Sequence, residues 1–232
     1  DRQLAHLRWR LGQQRTRIKN ALQAILRRHN LEQACPTKKM FTLKAFQWLM
    51  RLELPWMDRV ELDYQIERYQ LVESQVQRVQ RWIEDRAAQN PTVRLLQTMA
   101  KMGPYTALAL AAHIGAVERF PRAGSLANYF GLTPGCRNSG ESDRPGGNTK
   151  AGHPLARFLL GQLVLHALRT DPGLRAWYRR VKRRRGAKVA RVAVMRRLCE
   201  AIWHMLTRQE PYRPLGTRPA GEPQPERRKQ SA

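Results

Sequence analysis

Residues 92–115, TVRLLQTMAKMGPYTALALAAHIG, predict two short helices joined by a tight turn. Apolar residues at helical spacing indicate helices near 92–101 and 104–114, and Pro104 suits a first helical position, where its missing N–H costs nothing. In a helix-hairpin-helix, the turn glycine lets backbone N–H groups approach a phosphate. The candidate phosphate contacts here are Lys101, Gly103 and Thr106. An ordinary helical hairpin, in which Gly103 only closes the turn, is the alternative.

Further along the chain, proline and glycine divide the sequence into more short helices. They are expected near 125–130, 154–169, 172–184 and 187–208. Pro154 and Pro172 suit first helical positions, Asp171 can cap the helix after it, and Gly186 lies where a helix should stop. No stretch alternates with period two, so no sheet is expected after Pro91.

Before Pro91, the apolar residues recur at steps of three and four. This spacing predicts one long helix over about 1–29, a short helix within 30–56 and a second long helix over about 57–89. The apolar stripe of 57–89 has two interpretations: a coiled-coil arm that pairs two protomers, or a helix packed within its own chain.

The composition favours a nucleic-acid partner. The chain has 43 Lys and Arg against 18 Asp and Glu, a formal net charge of +25, which repels itself unless polyanions neutralise it. Three widely separated cysteines, not flanked by histidines at metal-ligand spacing, indicate a reducing compartment and disfavour a zinc module. The apolar stretches are too short for a membrane span, and no signal peptide is evident.

The segment 131–153, GLTPGCRNSGESDRPGGNTKAGH, is rich in glycine and cations and is expected to be a loop. Ser139 precedes Gly140 in a setting that suits a hydroxyl attacking phosphorus, with little steric hindrance and positive charge to stabilise the developing anion. The nearby cations, which are candidate nucleic-acid contacts, are Arg137, Arg144 and Lys150. A solvated Gly/Ser loop without chemistry is the commoner explanation of such a composition.

A second basic region surrounds Gly186, with eight cations and no acid in the thirteen residues 179–191. Such a run binds phosphates. The candidate nucleic-acid contacts in it are Arg179, Arg180, Lys182, Arg183, Arg184, Arg185 and Lys188. Trp177 and Tyr178, which precede the run, are expected to belong to the core rather than to stack on bases.

Four blocks then occur in the order typical of a known family. They are LLQTMAKMGPYTALALAAHIG at 95–115, ERFPRAGSLANYFGLTP at 118–134, NSGESDRPGGNTKAGH at 138–153 and GAKVARVAVMRRLCEAIWHML at 186–206. Together they resemble the carboxy-terminal domain of insertion-sequence family one hundred and ten, the DEDD transposases related to the pilin-gene invertase. The resemblance covers about residues 91–210.

The resemblance implies a DNA transposase or site-specific recombinase. In this family an RuvC-like amino-terminal domain holds magnesium with four carboxylates, a coiled coil follows, and the carboxy-terminal domain supplies a serine. By resemblance Ser139 is that serine, which forms a phosphoserine link to DNA. The implied partners are DNA, a structured guide RNA and further copies of the chain in a homodimer or homotetramer. The implied location is the bacterial cytoplasm, at the nucleoid when DNA is bound.

The expected fold class is all-α, with long coiled-coil-like helices followed by a compact helical domain that contains the helix-hairpin-helix-like turn. Residues 1–56 are expected to be a terminal helical piece of an RuvC-like domain and 57–90 a coiled-coil helix. Residues 91–212 are expected to form the transposase domain and 213–232 a disordered tail.

Two departures from the family pattern bear on function. The chain opens on what resembles the last RuvC-like helix, so no cofactor is expected in this chain, magnesium is implied for the intact protein, and this chain alone is not expected to recombine DNA. Asn138 stands where a serine is common and Ala116 where an acid is frequent, but neither removes the nucleophile. The competing hypothesis is a non-catalytic helix-hairpin-helix module that binds DNA or RNA.

Overall fold

The structure, a computed structural model, describes residues 1–139, 142–148 and 152–214, and it describes 134–139 and 142–148 by their backbone alone. The chain divides into two compact units, Asp1–Gln89 and Asn90–Ala232. Helices dominate both units, so the all-α fold class is confirmed.

The first unit contains helices α1 (Arg2–Arg28), α2 (Leu43–Met50) and α3 (Trp56–Gln89), with a 3-10 turn at Glu32–Ala34. The three helices predicted before Pro91 are therefore present. Residue spacing explains why they form, because the buried residues of α3 recur every three or four positions along one face. These residues are Leu62, Ile66, Tyr69, Val72, Val76, Val79, Ile83 and Ala87.

Helices α1 and α3 pack against each other in antiparallel orientation. Near the middle of the pair, Arg15 Nη1 lies 3.1 Å from Glu73 Oε2, and at its end Arg86 Nε lies 3.2 Å from Asp1 Oδ1. The buried residues of α1, among them Leu11, Ile18 and Leu22, face this contact. The apolar stripe of α3 thus packs within its own chain, which is the second of its two interpretations.

The second unit contains five helices within its described residues, and it has a 3-10 turn at Val117–Arg119. The helices are α4 (Pro91–Gln97), α5 (Pro104–Ile114), α6 (Ala123–Tyr129), α7 (Pro154–Thr170) and α8 (Pro172–Arg208). As predicted, Pro104, Pro154 and Pro172 each occupy the start of a helix. Helix α4 ends at Gln97, four residues earlier than predicted.

Asp171 fixes the junction between α7 and α8. Its Oδ1 accepts a hydrogen bond of 2.8 Å from the backbone N–H of Leu174, which is the predicted helix cap. Its Oδ2 accepts a hydrogen bond of 2.9 Å from the hydroxyl of Tyr212. Burial, together with this bond to Asp171, raises the pKa of Tyr212 above its usual value. The chain after α8 is thereby fastened to the start of α8.

Helix α8 supports the core of this unit from Ala190 onward. It packs against α7 and α6, and its buried residues there include Val194, Leu198 and Ile202. The indole N–H of Trp203 donates a 2.9 Å hydrogen bond to the carbonyl of Phe120, which holds the segment before α6 on α8. This packing positions α6, and α6 leads directly into the segment that carries Ser139.

The expectation of no sheet after Pro91 is wrong. Strands β1 (Pro134–Ser139) and β2 (Ser142–Asn148) form an antiparallel hairpin in the segment predicted to be a loop. Period-two alternation of apolar residues arises where one face of a strand is buried, whereas main-chain pairing requires no such pattern. A polar, glycine-rich sequence can therefore form a ladder that hydrophobic periodicity does not reveal.

Two further expectations concern the membrane and the carboxy-terminal tail. Within the described residues, no helix combines the length and the apolar character that crossing a bilayer requires. The predicted disordered tail, 213–232, lies outside the described residues from position 215 onward.

Candidate nucleic-acid interface

The turn between α4 and α5 places the first group of predicted contacts at the surface. Lys101 and Gly103 are exposed, and Thr106 is half-buried in the first turn of α5. Ala100 and Lys101 adopt left-handed backbone angles, with φ of 48° and 56°, whereas Gly103 has an ordinary φ of −72°. The left-handed bend therefore depends on Ala100 and Lys101 rather than on the turn glycine. Nonglycine residues in this region are uncommon and store strain, often at ligand-binding sites.

Gly103 instead precedes α5, where its carbonyl accepts a 3.0 Å hydrogen bond from the N–H of Ala107. A side chain added at Gly103 would meet nothing within 4 Å, so the backbone is open to approach at this point. The amino-terminal end of a helix attracts anions because its first N–H groups lack intrahelical partners. The turn combines an exposed Lys101 with such a helix end, which is suitable geometry for a phosphate contact.

Ser139 is the last residue of β1. The ladder pairs it with Ser142, the first residue of β2, so two residues separate the strands. Arg137 pairs with Arg144 in the same ladder, which brings two of the predicted cations to one level of the hairpin. Lys150, the third predicted cation, lies outside the described residues. The structure therefore places the predicted nucleophile where β1 ends, with the arginine pair two residues before it.

The end of α6 supports the hairpin from both sides. Thr133, which precedes β1, donates a 2.9 Å hydrogen bond from its hydroxyl to Asn128 Oδ1 on α6. Gly152, which follows the hairpin, lies so close to the backbone of Phe130 that any Cβ there would overlap it. Arg157 donates to the carbonyls of Gly152 and Phe130. Glycine is required at 152 because the two backbones approach each other closely.

The basic run on α8 is exposed to solvent. All of its predicted contacts are exposed, namely Arg179, Arg180, Lys182, Arg183, Arg184, Arg185 and Lys188. In the described part of the chain none of them forms an ion pair, and the pairs of this region lie further along, at Arg196–Glu200 and Arg213–Glu210. Cations that no protein carboxylate neutralises remain available for phosphates.

Gly186 interrupts α8 within this run, as the sequence predicted. Its angles, φ of 81° and ψ of 166°, belong to a region that is essentially restricted to glycine, so the helix changes direction there. Trp177 and Tyr178 are half-buried rather than fully in the core, and the guanidinium carbon of Arg197 lies 4.4 Å from the centre of the Trp177 ring. The break presents the cations before and after Gly186 in two directions.

Sequence reasoning missed a cationic cleft between α6 and α8. The cleft, of about 450 Å³, is lined by Arg122, Gly124, Ser125, Asn128 and Arg196. The two arginines lie on different elements, 74 positions apart in the sequence, so no local motif could reveal their proximity. The one feature of the sequence that could have pointed to Arg122 and Arg196 is that both lie within the blocks that resemble the transposase family.

Two histidines of the second unit, and two cysteines of the described chain, bear on metal and thiol chemistry. The rings of His113 and His153 lie with their centroids 4.1 Å apart and their planes tilted by 33°, a proximity that the sequence spacing did not suggest. Cys35 and Cys199 are free thiols in the described part of the chain, and burial raises the pKa of the Cys199 thiol.

Part of the chain is similar in sequence to known transposases. Residues 93–179 match the Transposase IS116/IS110/IS902 family. The chain is 31% identical over 131 residues to a transposase for insertion sequence element IS1111A from Coxiella burnetii, across 55% of this chain and 36% of that protein. It is 29% identical over 150 residues to a probable family 20 transposase from Pseudomonas aeruginosa, across 62% of this chain and 44% of that protein.

The matching chain thus spans less than half the length of these two curated relatives. The matched segment runs from α4 through the turn, the cleft residues of α6 and the serine hairpin to Arg179, the first cation of the basic run. The resemblance inferred from the four sequence blocks is confirmed, because residues 93–179 match the IS116/IS110/IS902 transposase family.

Proposed function

We propose that this chain is the DNA-binding, serine-bearing part of a DNA transposase. The family match over residues 93–179 carries the proposal. This segment contains both the turn at Lys101 and the hairpin, in which β1 ends at Ser139. The exposed cations of α8 adjoin the same segment and supply the charge that duplex DNA requires.

The proposed chemistry of Ser139 is nucleophilic attack on a DNA phosphodiester. The hydroxyl loses its proton, its oxygen bonds to phosphorus, and the bond from phosphorus to one deoxyribose oxygen breaks, so that this oxygen leaves as a hydroxyl. The phosphoserine link retains a phosphodiester that a second DNA hydroxyl can attack in turn, which regenerates the serine. Arg137 and Arg144, paired in the ladder two residues from Ser139, are proposed to bind the phosphate.

The carboxylates at the start of α3 do not fit a magnesium site. Arg28 pairs with both Asp58 and Glu61, and Arg59 pairs with Asp63. Magnesium prefers carboxylate oxygens that are free to coordinate it. The carboxylates of Asp58, Glu61 and Asp63 form ion pairs with arginines instead. The metal-binding carboxylates implied by the family resemblance are therefore proposed to belong to a part of the transposase other than this segment.

Chelation of divalent metals tests whether strand cleavage needs a metal while DNA binding by this chain does not. With EDTA, strand cleavage by the full-length transposase is expected to fall below detection, whereas binding of this chain to duplex DNA changes less than about twofold, because its proposed contacts are cationic side chains. Electrophoretic cleavage assays and fluorescence anisotropy provide the two measurements. Restoration of cleavage by added magnesium is the control. Loss of DNA binding under EDTA would contradict the proposal.

Self-association is proposed to involve the solvent face of α3. Met57, Tyr64 and Leu71 recur every seven residues on this helix and are 63%, 58% and 60% exposed. A seven-residue apolar repeat is the pattern by which helices pair, and the buried stripe of α3 is already occupied by α1. A second copy of the chain is the proposed occupant. A mass that stays monomeric at all concentrations in sedimentation equilibrium would contradict this.

A structured guide RNA is proposed as a further partner on the family resemblance, and the site of action is proposed to be the bacterial cytoplasm, on the chromosome. The alternative function is a helix-hairpin-helix module without chemistry, which the left-handed turn at Ala100 and Lys101 would serve equally well. The two proposals differ in whether Ser139 is needed for strand joining.

A further inference from the structure

We propose that the cleft between α6 and α8 holds a backbone phosphate of duplex DNA, at a site separate from the turn, the hairpin and the α8 run. The inference rests on the proposed DNA-binding function and adds a specific contact to it. Its two cations are Arg122, which precedes α6, and Arg196, which lies on α8.

The charge of the cleft favours an anion. Its lining contains two arginines and no carboxylate. Within the described residues Arg122 takes part in no ion pair, and Arg196 uses its Nε alone, at 2.9 Å from Glu200 Oε1. This contact orients the guanidinium and leaves both of its terminal nitrogens as donors. Guanidinium groups bind phosphate oxygens through such paired donors.

Two of the other residues that line the cleft, Ser125 and Asn128, have hydrogen-bonding side chains. Ser125 and Asn128 lie three residues apart on α6, which places them on the same face of the helix. The amide oxygen of Asn128 accepts a 2.9 Å hydrogen bond from the Thr133 hydroxyl, so its NH₂ group is the part that can serve a ligand. An amide NH₂, a hydroxyl and two guanidinium groups together provide donors for the oxygens of one phosphate.

The shape of the cleft favours a nucleic-acid strand. Its volume of about 450 Å³ exceeds what a single phosphate needs. A Cβ added at Gly124 would meet nothing within 4 Å, so the wall formed by α6 is open to a chain that enters and leaves. Asn128 is also tied to Thr133, the residue before β1, so a DNA strand held here lies at the base of the serine hairpin. We therefore choose DNA over RNA as the occupant.

Substitution of Gly124 provides a matched pair of variants. Gly124→Glu and Gly124→Gln add side chains of nearly equal size to the open space, and only the first adds a negative charge. A carboxylate in the first turn of a helix is favourable, so Gly124→Glu is not expected to impair folding. Any difference in DNA affinity between the two variants therefore reports the charge inside the cleft.

The experiment measures binding of the whole chain to a fluorescent DNA duplex over a series of salt concentrations. Gly124→Glu is expected to bind at least about tenfold more weakly than Gly124→Gln, as befits loss of a charged hydrogen-bonded contact. The double variant Arg122→Gln with Arg196→Gln should lower the slope of log affinity against log salt by about 0.9, the value for one phosphate. Arg94→Gln with Arg169→Gln, two exposed arginines outside the cleft, removes equal charge and should leave the slope unchanged.

Two results would overturn the inference. Equal duplex affinities for Gly124→Glu and Gly124→Gln would show that no phosphate lies in the cleft. An unchanged duplex affinity combined with weakened binding of a single-stranded RNA would assign the cleft to RNA instead. Both differ from failure of the proposed function, in which the unaltered chain itself would not bind the duplex.

Discussion

Replacement of Arg179, Arg180, Arg183 and Arg184 together by glutamine is expected to weaken binding of the chain to duplex DNA by about three decades at 0.1 M salt. The four residues lie on one side of α8, because positions three and four apart share a helix face, and all are exposed without a described ion pair. Each cation on a phosphate releases counterions, which gives a slope of about −0.9 in log affinity against log salt.

The same variant is therefore expected to lower the magnitude of the salt slope by about 3 to 4. The matched control replaces four other exposed arginines, Arg78, Arg81, Arg94 and Arg169, and removes the same net charge. If the control weakens binding as much as the α8 variant does, the effect comes from total charge and the α8 run is not a specific contact. Anisotropy titrations between 0.05 and about 0.5 M salt measure both quantities.

The helices of this chain could be predicted because their ends depend on local chemistry. Pro104, Pro154 and Pro172 begin helices by virtue of their own covalent structure, and the Asp171 carboxylate caps the helix that follows it. Gly186 ends a helical segment because it adopts angles that other residues avoid. A few neighbouring residues are therefore enough to predict where these helices begin and end.

What the sequence did not reveal depends on longer-range packing or on main-chain pairing. The hairpin at 134–148 has no apolar alternation, although the two residues between Ser139 and Ser142 could have suggested a tight turn. The α3 stripe could not show whether its partner was α1 or another protomer, because an apolar face specifies no particular neighbour. Arg122 and Arg196 meet only through the packing of α6 on α8.

At the turn near Lys101, the sequence also failed to predict which residues adopt the left-handed conformation. The sequence indicated a turn glycine at Gly103, yet the left-handed angles fall on Ala100 and Lys101. Ala100 is 7% exposed and Met102 4%, so burial of the residues on either side of Lys101 fixes the bend despite the backbone strain. Tertiary packing thus decides which residue of a turn takes the unusual conformation, and here it leaves the lysine itself at the exposed position.

Ser139→Ala in the full-length transposase is expected to reduce strand joining by at least about a thousandfold, because removing a nucleophile eliminates the covalent route. DNA affinity should change less than about twofold, since an uncharged hydroxyl contributes little to phosphate binding compared with the cations. A labelled duplex provides the direct measurement. The unaltered protein should form a protein–DNA adduct that resists detergent, and the variant should form none.

Ser142→Ala is the matched control, because Ser142 pairs with Ser139 in the ladder and belongs to the same hairpin. Both substitutions remove one hydroxyl, and neither alters the main-chain hydrogen bonds, so their effects on folding should be similar. If the chain acts by the proposed chemistry, Ser142→Ala retains adduct formation and strand joining. Normal strand joining and adduct formation by Ser139→Ala, with loss of both in Ser142→Ala, would assign the nucleophile to Ser142 instead. Normal strand joining by both variants would favour the helix-hairpin-helix module, with DNA binding as the whole function of this chain.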